Sequence, residues 1–206
     1  MKIVQVSAQR PDLKIIARAA KIIKNGGLVI FPTETVYGLG ADAFNARAVA
    51  RIFKAKGRSE GKPLIVHVAK KSTIAELTQG IPVVAHKLVQ KFWPGPLTLV
   101  LPARAILPEL VTGISDKSAI VPSMVLLHQI GKRKTQGVEK VMVRTVAARM
   151  PDHPVARALI MAAGPIAAPS ANFSGEPPPR SIKEIPRALL KKADLVLDAG
   201  RTPVGI

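Results

Sequence analysis

The sequence predicts an α/β fold in which helices pack on a sheet, and two observations lead to this prediction. Short apolar runs rich in β-branched residues alternate with segments whose apolar residues recur at helical spacing. The chain has 206 residues and is 48% hydrophobic, which is ample for one large core. We therefore expect one α/β domain over residues 1–206.

The first half of the chain supplies strands and helices in turn. An apolar run at 28–31 stops at Pro32 and leads into a polar loop at 33–40 that contains threonines and glycines. A strand that delivers such a loop is typical of a binding site, although an ordinary strand exit has the same pattern. The predicted elements are a strand at 1–6, a helix at 12–25, a strand at 28–31, a helix at 46–56 and a strand at 63–68.

The second half continues the alternation less regularly. Residues 114–148 are the hardest to interpret, because an apolar run is interrupted by Pro122 and followed by the basic turn 131–137, which we expect to face solvent. The predicted elements are a helix from Ser72, a helix at 83–92, a rigid turn at 93–96, a strand at 97–101, a helix at 155–163, a strand within 165–175, a helix at 181–192 and a strand at 193–198.

The charge balance favours a polyanionic partner. The chain carries 31 Lys and Arg against 13 Asp and Glu, a net charge of +18. A field of this size attracts RNA, DNA or phosphate-bearing small molecules. Aromatic residues make up only 3% of the chain, so base-stacking platforms of the RRM or OB kind have little to build on. Solubility alone also produces a basic balance.

The cysteine count and the N-terminal sequence indicate the compartment. The absence of cysteine excludes thiolate catalysis, disulfides and cysteine-based metal sites. Polar residues at 9–12 precede any signal-peptide core, and no apolar run approaches the length of a membrane span. We therefore expect a cytoplasmic protein with no membrane partner.

Several motifs of known chemistry fit the chain poorly. The residues at 38–43 have the spacing of a dinucleotide-binding loop but lie six residues beyond their strand. The residues at 57–63 have one residue too few between their glycines for a phosphate loop. The four histidines lack the spacing of a zinc site. Dinucleotide, P-loop and zinc chemistry are therefore disfavoured.

Three polar segments remain as site candidates. They are Thr33, Thr35 and Tyr37; Lys56, Arg58 and Lys62; and Ser170, Asn172 and Ser174. If neighbouring strands deliver them to one crevice, hydroxyls, an amide and fixed cations line a site for phosphate and carboxylate. Such a site stabilises developing negative charge, but it contains no obvious proton-transfer pair.

Four motifs in order along the chain carry a family resemblance. They are Pro32-Thr33-Glu34-Thr35-Val36-Tyr37-Gly38-Leu39; Lys56-Gly57-Arg58 with Lys62-Pro63-Leu64; Trp93-Pro94-Gly95-Pro96-Leu97-Thr98; and Ser170-Ala171-Asn172 with Ser174-Gly175. With these motifs the chain resembles the YrdC/TsaC family, the threonylcarbamoyl-AMP synthases, from about residue 10 to 113 and again from 147 to 205.

The resemblance implies a twisted, mixed or mostly parallel open sheet with flanking helices and a basic concave face. It implies a nucleotidyltransferase that converts L-threonine, bicarbonate and ATP with Mg²⁺ to L-threonylcarbamoyl-adenylate and pyrophosphate. This reaction is the first step in making the t6A base of tRNA, and a separate t6A transferase complex uses the product. The resemblance implies no tightly bound cofactor and no resident metal, whereas tRNA or duplex RNA is an expected partner.

The resemblance also assigns roles to individual residues. It implies that Thr35, His67 and Arg149 contact the threonine, and that Thr33 and Tyr37 shape the same pocket. The implied catalytic group is Lys56, Arg58, Ser170 and Asn172, and these four would bind ATP together with Lys62 and Ser174. Without the resemblance, the apolar strand around His67 favours a core histidine, and Arg149 is interpreted as a surface ion-pair partner.

The chain departs from the family pattern in two places. Between Gly113 and Arg149, about three dozen residues stand where the family has a short link, so we infer either an insertion or a displaced reading frame in the gene. An uninterrupted frame on resequencing would exclude the second explanation. The chain also stops at 205–206, where the family commonly continues into another strand, so we expect an incomplete nucleotide site and weak or absent activity.

Two other functions stay open at this point. A non-catalytic protein could use the +18 surface to bind duplex RNA or tRNA through salt-sensitive phosphate contacts. Related domains also form carbamoyl-adenylate within hydrogenase-maturation carbamoyltransferases, although this short chain lacks the accompanying domains.

Overall fold

A computed structural model describes residues 2–59, 61–116 and 142–205, and these ranges build one sheet with helices on both faces. The strands in them are β1 (Ile3–Gln5), β2 (Val29–Pro32), β3 (Tyr37–Asp42), β4 (Ile65–His67), β5 (Thr98–Pro102), β6 (Gly113–Asp116), β7 (Met142–Arg149), β8 (Ile166–Ala167) and β9 (Leu195–Asp198). Their spatial order is β1-β9-β2-β3-β8-β4-β7-β5, and β6 pairs with β7 beside this path.

Six α-helices lie in the described ranges. They are α1 (Leu13–Lys24), α2 (Ala46–Lys56), α3 (Ile74–Leu77), α4 (Val83–Phe92), α5 (Pro154–Ala163) and α6 (Arg187–Leu190). The bounds predicted at 46–56 and 83–92 are those of α2 and α4. α2 begins where Oδ1 of Asn45 accepts from the N–H of Ala48 at 3.1 Å, and it ends at Gly57 with φ of 59°. Of these helices, none has both the length and the hydropathy to cross a membrane.

The sheet is mixed. Among the described residues, β1–β9, β2–β9 and β4–β7 are parallel pairs. The other five pairs, which include β2–β3, β4–β8 and β5–β7, are antiparallel. The predicted α/β class with a mixed open sheet is therefore confirmed, whereas the expectation of a mostly parallel sheet is wrong, because five of the eight described pairs are antiparallel.

The central strands are buried on both faces. Leu28 and Ile30 belong to one apolar cluster, which α2 and α4 cover. Val29 and Phe31 belong to a second cluster, which α1 and α5 cover. Because successive side chains of a strand point to opposite faces, burial of both faces explains the unbroken apolar run at 28–31.

The loop predicted at 33–40 is shorter in the structure. Residues 33–36 form the turn of a hairpin, and β3 pairs with β2 from Tyr37 to Gly40. The prediction that residues 37–40 belong to the loop is therefore wrong. The dinucleotide-loop spacing at 38–43 also has no structural counterpart, because Gly38 to Asp42 are extended.

The packing around position 40 explains why β3 has a glycine there. A Cβ at Gly40 would lie 2.6 Å from Cε1 of Phe31 and 2.7 Å from Cγ2 of Ile166. The absent side chain therefore lets β2, β3 and β8 pack closely.

The helix predicted at 181–192 is broken. A 3₁₀ turn at Ile182–Glu184 is followed by the single-turn helix α6. Pro186 lies between them, and proline has no N–H to donate and disfavours a helical conformation of the residue before it. The prediction of one continuous helix is therefore wrong.

The segment 114–148 is described only at its two ends. β6 and β7 pair antiparallel, with Gly113 opposite Thr145 and Asp116 opposite Met142. The basic turn predicted at 131–137 lies outside the described residues, so its exposure to solvent stays a prediction. The single domain over residues 1–206 also stays a prediction.

We predict that Gly40→Ala destabilises the fold by ~1–3 kcal/mol, because the new methyl group overpacks against Phe31 and Ile166. Gly61→Ala is the matched control, since a Cβ there meets no atom within 4 Å. Urea unfolding of both variants measures the difference. Equal unfolding midpoints would contradict the packing role of Gly40.

Candidate active site

The hairpin turn at 33–36 is held in shape by Thr33. Its Oγ1 accepts hydrogen bonds from the N–H groups of Thr35 and Val36, both at 3.2 Å, and donates to the carbonyl of Val36 at 2.8 Å. A threonine that bonds its own turn in this way fixes the backbone. Glu34 and Thr35 therefore occupy defined positions in the middle of the turn.

Arg149 joins this turn to two other segments. It ends β7 and is only 8% exposed, so it is not a surface ion-pair partner. Its Nη2 lies 2.7 Å from Oε1 of Glu34 and donates to Oγ1 of Thr35 at 3.0 Å. Its Nε donates to the carbonyl of Gly95 at 3.3 Å. A fixed positive charge therefore lies beside the hydroxyl of Thr35.

His67 lies next to Arg149, since the two residues are partners in the register of β4 and β7. The ring is 4% exposed and meets the Phe31 ring edge-on at 6.3 Å. Burial, and then the charge of Arg149, lower the pKa of His67 to about 3, so the ring is neutral at physiological pH. Its Nδ1 has no hydrogen-bond partner among the described residues, unlike a satisfied core histidine.

Tyr37 attaches the C-terminal stretch to the hairpin. Its hydroxyl donates to the carbonyl of Gly200 at 2.6 Å and accepts from the N–H of Ala199 at 3.1 Å. The side chain is fully buried, and this burial raises the pKa of Tyr37 to about 12. The fold therefore uses the hydroxyl of Tyr37 to hold residues 199–200, and its role in shaping a threonine pocket stays a prediction.

Lys56 holds the second group of predicted residues together. It is the last residue of α2 and is 2% exposed. Its Nζ donates to the carbonyl oxygens of Ser170 and Asn172. Burial, and then the charge of Arg58, lower the pKa of Lys56 to about 8, while the carboxylate of Glu176 opposes this shift. The S-x-N segment, Ser170-Ala171-Asn172, therefore uses two of the three N–H donors of the ammonium group that was expected to meet phosphate.

Arg58 shapes the loop that follows α2. Its Nε donates to the carbonyl of Lys62 at 3.1 Å, and its Nη2 donates to the carbonyl of Pro63 at 3.0 Å. The side chain is half-buried, and this burial lowers the pKa of Arg58. Lys62 is exposed, so a ligand can reach its ammonium group.

The S-x-N segment forms a tight loop after β8. Nδ2 of Asn172 donates to the carbonyls of Phe173 and Glu176, at 3.0 Å and 2.5 Å. Its Oδ1 is buried without a partner in the part of the chain that the structure describes. Ser170 is half-buried and Ser174 is exposed. This loop therefore offers an amide oxygen and two hydroxyls.

The two groups of residues adjoin across β3. The N–H of Ala171 donates to the carbonyl of Tyr37 at 2.8 Å, and Gly38 forms a β-bridge with Ser170. The hairpin that carries Thr35 is therefore paired with the segment that Lys56 holds. The first group contains Thr33, Thr35, His67 and Arg149, and the adjoining group contains Lys56, Arg58, Lys62, Ser170, Asn172 and Ser174.

Two buried residues of the site were missed by the sequence prediction. Glu34 pairs with Arg149, and the signal for it was a lone acidic residue between two threonines in an otherwise uncharged motif. His153 caps α5, because its Nδ1 accepts from the N–H of Val155 at 3.2 Å. Burial lowers the pKa of His153, although the charge of Glu34 opposes this. Its signal was a polar residue directly before a proline at a helix start.

Among the described residues, neither a metal-binding cluster nor the nearby cavity adds residues to the candidate site. Within the described ranges, no group of three or more His, Asp or Glu side chains is arranged to hold a metal ion. A cavity of about 310 Å³ between Val68–Glu76 and the end of α5 shares no residue with the two groups.

The fold and the motifs agree with a known family. The family model described as Telomere recombination, for Sua5, YciO and YrdC proteins, matches residues 21–138 and 122–206. The chain belongs to the Sua5/YciO/YrdC family, which confirms the resemblance inferred from its four motifs.

Relatives within the family are named for one activity. The chain is 42% identical over 189 residues to the threonylcarbamoyl-AMP synthase of Pyrococcus abyssi and 44% identical over 192 residues to that of Bacillus subtilis. These alignments cover 91% and 93% of this chain but 47% and 48% of those proteins. The chain therefore spans about half the length of the curated relatives it matches.

A solved structure supports the same relationship. The crystal structure of P. abyssi Sua5 complexed with L-threonine resembles this chain with a TM-score of 0.81 and 40% sequence identity. The match covers 100% of this chain and 52% of that one.

We predict that Lys56→Ala loosens the segment 168–176 and destabilises the fold by ~2–4 kcal/mol, because two carbonyls lose their charged donor. Lys54→Ala is the matched control, since Lys54 is exposed on the same helix. Hydrogen exchange measured by mass spectrometry reports on the segment. Unchanged protection at 168–176 would contradict the holding role of Lys56.

We predict that His67 makes the fold sensitive to acid. The folded-state pKa of His67, about 3, lies below its unfolded-state value of ~6.5. Between these two pH values the unfolded state binds more protons than the folded state, so the free energy of unfolding decreases as the pH is lowered. The expected loss from His67 is about 2 kcal/mol at pH 5.

The measurement is urea unfolding at pH 7 and pH 5. His67→Gln should lose less stability than the unaltered chain between these values, whereas His86→Gln, a change of an exposed histidine on α4, should not differ from it. An equal loss in His67→Gln and the unaltered chain would contradict the prediction.

Proposed function

We propose that this domain forms L-threonylcarbamoyl-adenylate and pyrophosphate from L-threonine, bicarbonate and ATP. The observation that carries the proposal is the backbone pairing of Tyr37 and Gly38 with Ala171 and Ser170. This pairing joins the hairpin that Arg149 contacts to the segment that Lys56 holds. The names of the relatives as threonylcarbamoyl-AMP synthases and the L-threonine complex of P. abyssi Sua5 support it.

The first group fits the amino acid. In the proposal, Arg149 binds the threonine carboxylate, because a guanidinium matches a carboxylate in charge and shape. The hydroxyl of Thr35 and the neutral ring of His67 supply hydrogen bonds beside it. Thr33 and Tyr37 act indirectly, since their hydroxyls hold the turn and the C-terminal stretch.

The second group fits the nucleotide. In the proposal, Arg58 and Lys62 contact the phosphates, while Lys56 acts as a positioning residue for Ser170 and Asn172. Ser170, Asn172 and Ser174 contact the adenylate through hydroxyls and the unpaired amide oxygen. We propose that Mg²⁺ arrives with ATP, because this ion is usually held by substrate phosphates and few protein carboxylates.

The proposed chemistry needs positioning and positive charge. Bicarbonate takes up a proton and loses water to give carbon dioxide, and the neutral amine of threonine attacks it and loses a proton to give a carbamate. The carbamate oxygen then attacks the α-phosphorus of ATP and releases pyrophosphate. Both steps place negative charge on oxygen, so fixed cations and close approach supply much of the rate enhancement. In the proposal, adjoining sites for the amino acid and the nucleotide bring the two reacting groups together.

We further propose that the product serves t6A synthesis on tRNA in the cytoplasm. The net charge of +18 supports contact with tRNA or duplex RNA. A t6A transferase complex is the proposed recipient of the adenylate.

We predict that pyrophosphate release from ATP and bicarbonate requires L-threonine. Arg58→Ala should lower kcat/KM by roughly 10²-fold, because it removes a cation from the phosphates. Arg47→Ala, a change of an exposed arginine on the same helix as Lys56, is the matched control and should leave the rate unchanged.

The opposite result would identify a different function. That function is non-catalytic RNA binding. It would be indicated if the chain shows no turnover and if its salt-sensitive RNA binding persists in the double variant Lys56→Ala, Arg58→Ala.

A further inference from the structure

Glu34 is a buried carboxylate whose oxygens lack hydrogen-bond donors. The residue is 5% exposed, and neither Oε1 nor Oε2 has a hydrogen-bond partner among the described residues. The 2.7 Å contact with Nη2 of Arg149 brings opposite charges together, but the N–H is not aligned with the oxygen. Buried carboxylates are normally hydrogen-bonded, so Glu34 is missing donors that something else can supply.

Neutralisation of Arg149 does not account for this geometry. A carboxylate that serves only as a counter-ion for arginine is expected to align both oxygens with two N–H groups. Here Nη2 is shared between Oε1 of Glu34 and Oγ1 of Thr35, and Oε2 has no donor among the described residues. The arrangement therefore leaves acceptor capacity directly beside the guanidinium.

The charges of Glu34 and Arg149 indicate which chemical group can donate the missing hydrogen bonds to Glu34. Arg149 offers a positive charge for an anionic group, and Glu34 beside it offers a negative charge for a cationic one. A phosphate or a bicarbonate would suit Arg149 but would place a second anion against Glu34. An α-amino acid satisfies both residues, because its carboxylate and its ammonium group are on the same carbon.

We propose that Glu34 binds the α-ammonium group of the amino-acid substrate while Arg149 binds its carboxylate. This inference rests on the proposed function, and it names the residue that holds the substrate nitrogen before that nitrogen loses a proton and forms the carbamate. Glu34 then selects α-amino acids against α-hydroxy acids of the same shape, because a hydroxyl group brings neither the charge nor three N–H donors.

Calorimetric binding of two ligands tests the proposal. The ligands are L-threonine and its α-hydroxy analogue, 2,3-dihydroxybutanoate of matching stereochemistry, which keeps the carboxylate. In Glu34→Gln, affinity for L-threonine should fall by ~10- to 100-fold, since a charged hydrogen bond is lost. Affinity for the hydroxy analogue should change by less than about threefold, and this retained binding also shows that the variant is folded.

A matched control and the opposing outcomes complete the test. Glu184→Gln alters an exposed carboxylate paired with Arg201 at 2.6 Å, and it should change neither affinity. If Glu34→Gln lowers the affinity for both ligands equally, or leaves the affinity for L-threonine unchanged, the role of Glu34 is overturned and the proposed function still stands. Failure of the unaltered chain to bind L-threonine would overturn both.

Discussion

One buried guanidinium fixes the geometry of the site. Arg149 contacts Glu34 and Thr35 in the hairpin turn and Gly95 in the turn before β5, so three segments far apart in sequence meet at one charge. An arginine that leaves water must find oxygen partners, and removal of one member of a buried ion pair typically costs ~3–5 kcal/mol. The position of the turn, and with it the hydroxyl of Thr35, depends on this interaction.

Lys56 is a second buried cation, and its oxygen partners are backbone carbonyls. Its buried ammonium group holds the loop of Ser170 and Asn172, and burial weakens its hold on the proton, as the lowered pKa indicates. The site therefore divides its cations into two kinds. Lys56 and Arg149 organise the chain, whereas the exposed Lys62 remains accessible to a ligand. Preorganised groups of this kind need little rearrangement when charge develops.

Local periodicity was sufficient for some elements and misleading for others. The amphipathic spacing of 46–56 and 83–92 gave the bounds of α2 and α4, because such helices are specified by their own residues. The glycines at 38 and 40 favour a loop by local pattern, because the packing of Gly40 against Phe31 and Ile166 is visible only in the folded chain. The motifs indicated the candidate site residues. The hydrogen bonds by which Tyr37 and Lys56 support the chain reach residues more than 100 positions away, so local sequence could not predict them.

Hydrogen bonds attach the stretch 198–204 to three residues of the hairpin, Tyr37, Thr35 and Glu34. The hydroxyl of Tyr37 bonds Gly200, Oγ1 of Thr202 donates to the carbonyl of Thr35, and the N–H of Val204 donates to the carbonyl of Glu34. Two of these bonds end on the backbone of the turn itself. The turn and the stretch therefore move as one mechanical unit, and any displacement of one by an incoming molecule must be transmitted to the other.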